Sequence, residues 1–357
     1  MNNQSLDQLT ILLAVSGRDQ CTERWLSYME AIKFDGKIII ADGKNNGNAL
    51  NIYKSFKSNS NLKLSFLQFD TGDSYLKYYE LMRDSIEHVS TKYLLLAEND
   101  DFIIPSGIKN IFSKMAQNNE LISVGGRIGN FQIDGGSNKA YGKKFEFLNG
   151  YKYERFDDVN DISEHITNTF RSFQPYYYNI FKTKILHRIF TEIVELNFRE
   201  LYIMEFFIYL RMFTLGKSIT LPNQFHLIRQ RGTSQTSQNF DHFAALVKSN
   251  IPNDILKIIP IINQYDAIDI EEKLLGEYMN YIQPFIYSEA IREKLPIASK
   301  MLSFIRNFKN SIPFFRDIKI KMLNKSVINS VASINEIAAA EYMFVNKFFD
   351  KISKDKI

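Results

Sequence analysis

Apolar runs punctuated by polar turns set the first half of the chain. LTILLAVSG, at residues 9–17, is a continuous apolar run ending in small residues, the pattern of a strand buried on both faces of a parallel sheet. A helical stretch from about Glu23 to Lys33 follows. KIIIADGK, LKLSFLQFD and KYLLLAENDDF read as three more strands, with a helix over about Ser74 to Val89 before the last. A short helix near Ile108 to Ala116 leads into LISVGGRIGNFQ, a further strand. Strands separated by helices predict a parallel, three-layer α/β sheet. Such sheets bind ligands beyond the carboxyl ends of their strands. Ser16 and Arg18, Asp42, Asp70 and the run from Glu98 to Asp101 fall there.

From Gly135 to Pro175 the pattern gives way to Gly, Asn, Asp and aromatic residues, which predicts a substrate-facing loop region. Helices are expected over Lys182 to Leu196 and Leu201 to Leu215, the second stopped by Gly216. KSITLP and QFHLIRQRG read as two short strands returning to the core. Beyond Phe240 the signals are almost wholly helical. The expected organisation is one α/β domain over 1–235 and a helical C-terminal domain over 236–357.

Composition narrows the class. Among 357 residues, 45% are hydrophobic and 24% charged, a globular balance. The single cysteine, Cys21, excludes a disulfide framework within one chain and fits a reducing compartment. The apolar runs fall far short of the ~20 residues that span a bilayer. The polar start MNNQSLDQLT does not read as a signal peptide, so a cytoplasmic location is expected. A formal net charge of +4 is too weak to imply nucleic acid.

The stretch YLLLAENDDFIIPSGI carries the most chemistry. An apolar strand runs into Glu98, Asn99, Asp100 and Asp101, with Pro105 following. Adjacent carboxylates repel, and a divalent cation relieves them. Hard oxygen ligands suit Mg²⁺ or Mn²⁺, either of which can bridge to a diphosphate. A solvated acidic turn opening a helix uses the same residues. Further on, Glu205 stands among Met204, Phe206, Phe207 and Ile208. Desolvation there raises a carboxyl pKa toward a value useful for a general base. A helix glutamate paired with Arg211 is the plainer alternative. Gly125, Gly126 and Gly129 do not form a dinucleotide fingerprint, because no helix opens after them.

Over roughly residues 9 to 232 the chain resembles the GT-A glycosyltransferases, in particular the family-2-like group. AVSGR matches the end of their first strand, IIIADGK the acidic end of their second, and LLAENDDFIIP their metal motif, with Glu98 in the first acidic place where Asp is usual. The resemblance implies a GT-A-like (Rossmann-like) three-layer nucleotide-sugar-binding domain with a C-terminal helical extension. It assigns Ser16, Arg18 and Asp42 to the nucleobase and ribose, and brings Lys77, and less so Arg83, toward the donor diphosphate; an ordinary loop start, a simple turn before Gly43 and a solvated helix face are the plainer alternatives. Glu98 and Asn99 then lie beside the donor, and Asp100 becomes a ligand of Mn²⁺ or Mg²⁺, with His226 supplying a further one or else standing as a strand histidine satisfied by hydrogen bonds. Arg229 and Arg231 can neutralise the leaving diphosphate through bidentate contacts, or serve as ordinary edge-strand charges. Glu205 takes the place of the base of inverting members, although the acid usually beside it is Phe206 here. Glu200 and the loop around Asp157 to Asp161 are the fallback.

The implied activity is metal-dependent, inverting transfer of a sugar from a nucleotide-sugar donor to a glycan or lipid-linked acceptor, in bacterial surface polysaccharide synthesis (capsule or lipopolysaccharide). A sugar-nucleotide nucleotidyltransferase would carry a Gly-rich basic loop after the first strand, and AVSGRDQCTERW has one glycine. A non-catalytic nucleotide-sugar or glycan-binding scaffold would account for Glu98 and Phe206. From Arg292 to Lys325, nine Lys or Arg face two acids among apolar residues. That composition suits peripheral contact with the anionic inner membrane surface, or a solvated basic face of a bundle. Pro296 and Pro313 divide it.

Overall fold

The computed structural model describes residues 5–44, 47–72, 74–134, 139–148, 176–198, 201–231, 251–262 and 313–356, with a few further residues between 164 and 280. Four parallel strands begin the fold: β1 (Leu9–Val15), β2 (Lys37–Asp42), β3 (Lys63–Gln68) and β4 (Tyr93–Ala97), in the spatial order β3-β2-β1-β4. They alternate with α1 (Asp19–Ala31), α2 (Asn48–Asn59) and α3 (Tyr75–Glu87). Every residue of β4 is buried, as a strand covered by helices on both faces requires. Helix α2 was not read from the sequence, although Ala49, Ile52, Tyr53 and Phe56 recur at helical spacing and pack on the core.

The second half departs from the expected all-parallel sheet. Next come β5 (Phe102–Ile103), α4 (Pro105–Gln117), β6 (Leu121–Ile133), β7 (Phe145–Leu148) and β8 (Ile180–Lys182). They are followed by α5 (Thr183–Leu196), α6 (Leu201–Leu215) and β9 (Lys217–Gln230). The sheet runs β3-β2-β1-β4-β8-β6-β9-β5, with β7 against β6. Strand β8 is antiparallel to both β4 and β6, so the sheet is mixed. The two short strands expected at KSITLP and QFHLIRQRG are one long strand, β9. Pairing with β6 absorbs residues 222–224 as an irregularity beside Gly126 and Arg127, where Arg127 Nε donates to the Pro222 carbonyl. The three glycines of the SVGGRIGNF run lie inside β6.

Helix α4 lies directly on β9. A Cβ at Gly107 would overlap the Phe225 carbonyl oxygen, so the close approach needs glycine. Helix α6 is apolar around most of its circumference and correspondingly buried, with Phe207, Ile208 and Leu210 fully enclosed.

Three further helices are described: α7 (Ile251–Ile262), α8 (Pro313–Ala332) and α9 (Glu336–Lys356). The last two pack on the sheet and share its core. Asn324 of α8 acts like a neighbouring strand for β7, accepting from Phe147 N–H at 2.6 Å and donating to the Phe145 carbonyl at 2.9 Å. On α9, Tyr342 stacks near Phe147 and Phe349 near Phe145. Glu341 accepts from the Ser106 amide at 2.9 Å and its hydroxyl at 2.5 Å, capping the start of α4, whose own N-cap residue, Ile104, makes no side-chain cap bond. The boundary expected near 235 falls outside the described residues.

Candidate active site

The acidic run forms the turn between β4 and β5. Central β4 is held by β1 on one side and β8 on the other, and β5 pairs at once with β9, so the four polar residues must reverse the chain at the carboxyl end of the sheet. Asp100 and Asp101 are buried, at 0% and 2% exposure, and Glu98 is half-buried. One carboxylate oxygen from each of the three lies within 4.8 Å of the others.

Their partners leave two oxygens over. Asp100 Oδ2 takes Arg18 Nη1 at 2.7 Å, while its Oδ1 is buried without a hydrogen bond. Asp101 Oδ1 accepts the Gln230 amide at 2.9 Å; its Oδ2 makes no hydrogen bond, and Arg229 Nε stands 3.8 Å away. Burial first, and then the charge of Asp100, pushes the Glu98 and Asp101 carboxyls up from their ordinary range, with Arg229 opposing in both cases. Buried, mutually repelling, partly orphaned hard oxygens are the donor set that a divalent cation satisfies, so these residues fit Mg²⁺ or Mn²⁺.

The start of α1 is sewn to this turn. Gly17 and Arg18 are both left-handed (φ 75° and 55°), a conformation that costs a non-glycine residue roughly 1–2 kcal/mol. The bend lets the Arg18 side chain reach Asp100. Asn99 Nδ2 donates to Thr22 Oγ1 at 2.9 Å, so Asn99 locks the turn to α1. Arg24, one turn further, donates to the Asp100 carbonyl at 2.6 Å.

On the other flank, α6 supplies Glu205. Desolvation pushes its carboxyl up to about 7; the negative charge of Glu98 adds to this and Arg229 opposes it. Tyr78 and Tyr177 face each other across 3.1 Å between hydroxyls, and both feel the charges of Glu98 and Glu205. Arg229 lies over the Tyr178 ring, 4.7 Å from its centroid. Glu98, Glu205, Arg229 and these tyrosines therefore share one region.

The other expected residues are exposed or engaged with other partners. Ser16 is exposed just past β1. Asp42, at the end of β2, is fully buried and spends its oxygens on the Lys44 amide at 2.9 Å and Gln68 Nε2 at 3.3 Å. Lys77 is exposed in the first turn of α3, Arg83 pairs with Asp84 at 2.7 Å, and Arg231 is exposed after β9. His226 is 1% exposed, and its Nε2 donates to the Tyr178 carbonyl at 3.1 Å, so the structure does not bring it into the acidic group. Burial lowers its ring to about 4, against the backbone groups of Tyr178 and Arg127, which favour the proton. Arg211 pairs with Glu192 at 2.7 Å and not with Glu205. Glu200 and Asp157 to Asp161 lie outside the described residues.

Sequence reading missed Arg24, Gln230, Tyr78 and Tyr177. Arg24 had a signal. It sits on the same helical face as Cys21, Trp25 and Tyr28, all buried.

No family model matches the sequence, and no curated protein matches it. Among solved structures, S. aureus TarS 1-349 in complex with UDP-GlcNAc is similar at 13% identity and a TM-score of 0.52, covering 96% of this chain and 91% of that one. TarS 1-349 without that ligand gives 12% identity and 0.51 over the same shares. A mannosyltransferase from Pyrobaculum calidifontis, in complex with GDP-Man and Mn²⁺, gives 10% identity and a TM-score of 0.43 over 94% of this chain and 87% of that one. The chain has a GT-A-like glycosyltransferase fold.

Proposed function

We propose that this protein is a nucleotide-sugar-dependent glycosyltransferase that uses a divalent cation and inverts the anomeric centre. The observation that carries the reading is the group Glu98, Asp100 and Asp101, with two buried carboxylate oxygens unbonded at the carboxyl end of β4. The similarity to TarS bound to UDP-GlcNAc and to UDP supports the donor class.

Glu98, Asp100 and Asp101 would hold Mn²⁺ or Mg²⁺, which supplies charge neutralisation to a departing nucleoside diphosphate. Arg229 and Arg18 add fixed positive charge on either side of the group. Ser16 and Asp42 border the nucleobase and ribose, with Lys77 and Arg231 at the rim. The acceptor hydroxyl oxygen attacks the anomeric carbon, its proton passes to the Glu205 carboxylate, and the bond to the diphosphate breaks with its electron pair on the phosphate oxygen. A carboxyl with a pKa of about 7 suits that transfer near neutral pH.

The acceptor we assign is a glycan or lipid-linked glycan of a bacterial surface polysaccharide, worked on from the cytoplasmic face of the inner membrane. The basic stretch from Arg292 to Lys325 would make the membrane contact. Its described part lies in α8, where Met322 is 68% exposed between Lys321 and Lys325, both exposed. No described helix is long and apolar enough to cross a membrane. We place the transferase domain at 1–235 and a helical C-terminal part at 236–357, whose α8 and α9 share the core of the sheet.

Thermal shift with UDP or GDP, with and without Mn²⁺, tests the reading. Mn²⁺ should raise the melting temperature in the presence of the nucleotide by mass action, and Asp100→Ala should abolish the increment. Slow Mn²⁺-dependent hydrolysis of a nucleotide sugar should accompany it. Equal shifts in wild type and Asp100→Ala would overturn the cation site, and binding without hydrolysis or transfer would favour a scaffold.

A further inference from the structure

Arg24 is a cation sealed inside the protein at 0% exposure. Burying a charge costs several kcal/mol unless its surroundings repay it. Its partners converge on the acidic turn: Nη2 donates to the Asp100 carbonyl at 2.6 Å and to Gln230 Oε1 at 3.1 Å, and Nη1 donates to the Ala140 carbonyl at 2.7 Å. The rings of Phe102 and Phe131 lie against the guanidinium, 5.0 and 5.8 Å from its carbon.

Gln230 extends the same device. Its amide N–H donates to Asp101 Oδ1 at 2.9 Å and its Nε2 to the Lys139 carbonyl at 3.1 Å. The Arg24 guanidinium therefore fixes the Asp100 carbonyl and the chain at Ala140, while Gln230 joins it through its carboxamide to Lys139 and through its backbone amide to the Asp101 carboxylate. The 139–140 segment and Gln230 lie far along the chain from this acidic pair.

We propose that Arg24 is a positioning residue: with Gln230 it holds Asp100 and Asp101 in the arrangement that accepts a divalent cation, and it ties the 139–140 segment to that arrangement. The inference rests on the cation reading above. A planar fork is required, because a lysine ammonium is a compact charge that cannot span the Asp100, Gln230 and Ala140 oxygens in one plane. Partners that act through ligands in this way change metal affinity by about 10–100-fold.

The test counts Mn²⁺ bound to the full chain by electron paramagnetic resonance, with urea midpoints measured in parallel. Arg24→Lys and the volume-conserving Gln230→Met should each weaken Mn²⁺ binding about tenfold or more. Gln230→Met, which removes the side-chain bonds to Arg24 and Lys139 and leaves the backbone bond to Asp101, should do so at a near-normal urea midpoint. In Arg24→Ala, added methylguanidinium should restore Mn²⁺ binding while methylammonium does not, a rescue that loss of packing alone would not show. Should the Arg24 variants fail to fold, Gln230→Met decides alone. Wild-type Mn²⁺ affinity in Gln230→Met, or in a folded Arg24→Lys, overturns the proposal. Absence of Mn²⁺ binding by the wild-type protein overturns instead the cation site on which it rests.

Discussion

Arg18 Nη1 stands 2.7 Å from Asp100 Oδ2, an ion pair between a side chain 31% exposed and one fully buried. Arg18 reaches it from a left-handed backbone, so the pair is held at the expense of local strain. The guanidinium therefore already supplies one positive charge to the acidic group. A cation bound through the unbonded Asp100 Oδ1 would stand beside the Arg18 charge and be opposed by it, while a bound diphosphate would give Arg18 another partner.

Arg18→Ala should accordingly separate two affinities. Removing a neighbouring positive charge should tighten Mn²⁺ binding to the free protein, by roughly 3–10-fold, the equivalent of about 1 kcal/mol. Affinity for a nucleoside diphosphate with Mn²⁺ should fall. Titration calorimetry with Mn²⁺ alone, and then with UDP at saturating Mn²⁺, reads both. Weaker Mn²⁺ binding in the variant would show that Arg18 supports the cation site and does not oppose it.

Glu205→Gln keeps the shape and cannot take a proton. Turnover should fall by ~10²–10⁴-fold with the donor dissociation constant within a few-fold of wild type. The rise of kcat/KM through about pH 7 should vanish with it. Stability gives an independent reading. The folded carboxyl titrates at about 7, above the ordinary 4.5, so the native state holds the extra proton and loses stability as pH rises between the two values. The Gln variant should therefore gain stability relative to wild type at pH 8 compared with pH 4.5, as measured by urea denaturation. A constant difference across that range would show that Glu205 is not desolvated.

His226 has the opposite sign. Its folded pKa of about 4 lies below the ordinary 6.5, so the unfolded chain takes up the proton first and stability is lost as pH falls from 6.5 toward 4. His226→Gln should flatten that loss and leave Mn²⁺ affinity within about twofold, since the ring meets a backbone carbonyl in the core. A large drop in Mn²⁺ affinity would make His226 a ligand after all.

Glu341→Ala should remove the cap of α4. A lost cap costs about 0.5–2 kcal/mol, and more than one Ser106 group is released here. Urea denaturation should show a loss in that range; a change below a few tenths would mean water replaces the carboxylate.

The parts of this fold legible in the sequence are those whose signal is local. The apolar runs of β1, β2, β3 and β4 declare themselves, and the polar run after Ala97 marks the carboxyl end where charge collects. Glu205 was visible because its chain neighbours on α6 are apolar. Arg24 was not, because a helix arginine ordinarily faces water, and its partners lie 76 to 206 positions away. The antiparallel turn of the sheet at β8 was hidden for a similar reason. Three residues, Ile180 to Lys182, carry too little periodicity to declare a direction, which is set by β4 and β6 on either side. Phe225, His226 and Pro222 fell in what looked like two strands because the irregularity on β9 exists only in its pairing with β6.

The Glu341 cap also sets an order of assembly. Helix α4 begins four residues after Asp101, and the group that closes its first turn is made 235 positions after Ser106. At a synthesis rate of about 5–20 residues per second, the acidic turn waits on the order of 10–50 s after emerging before that group exists. During this interval a nascent chain has its central strands and no capped α4, with Phe102 and Tyr28 still lacking the Phe348 ring that later covers them. A polypeptide released before Glu341 would thus expose this aromatic surface beside an unfinished site, which makes it a natural client for chaperones and for proteolysis.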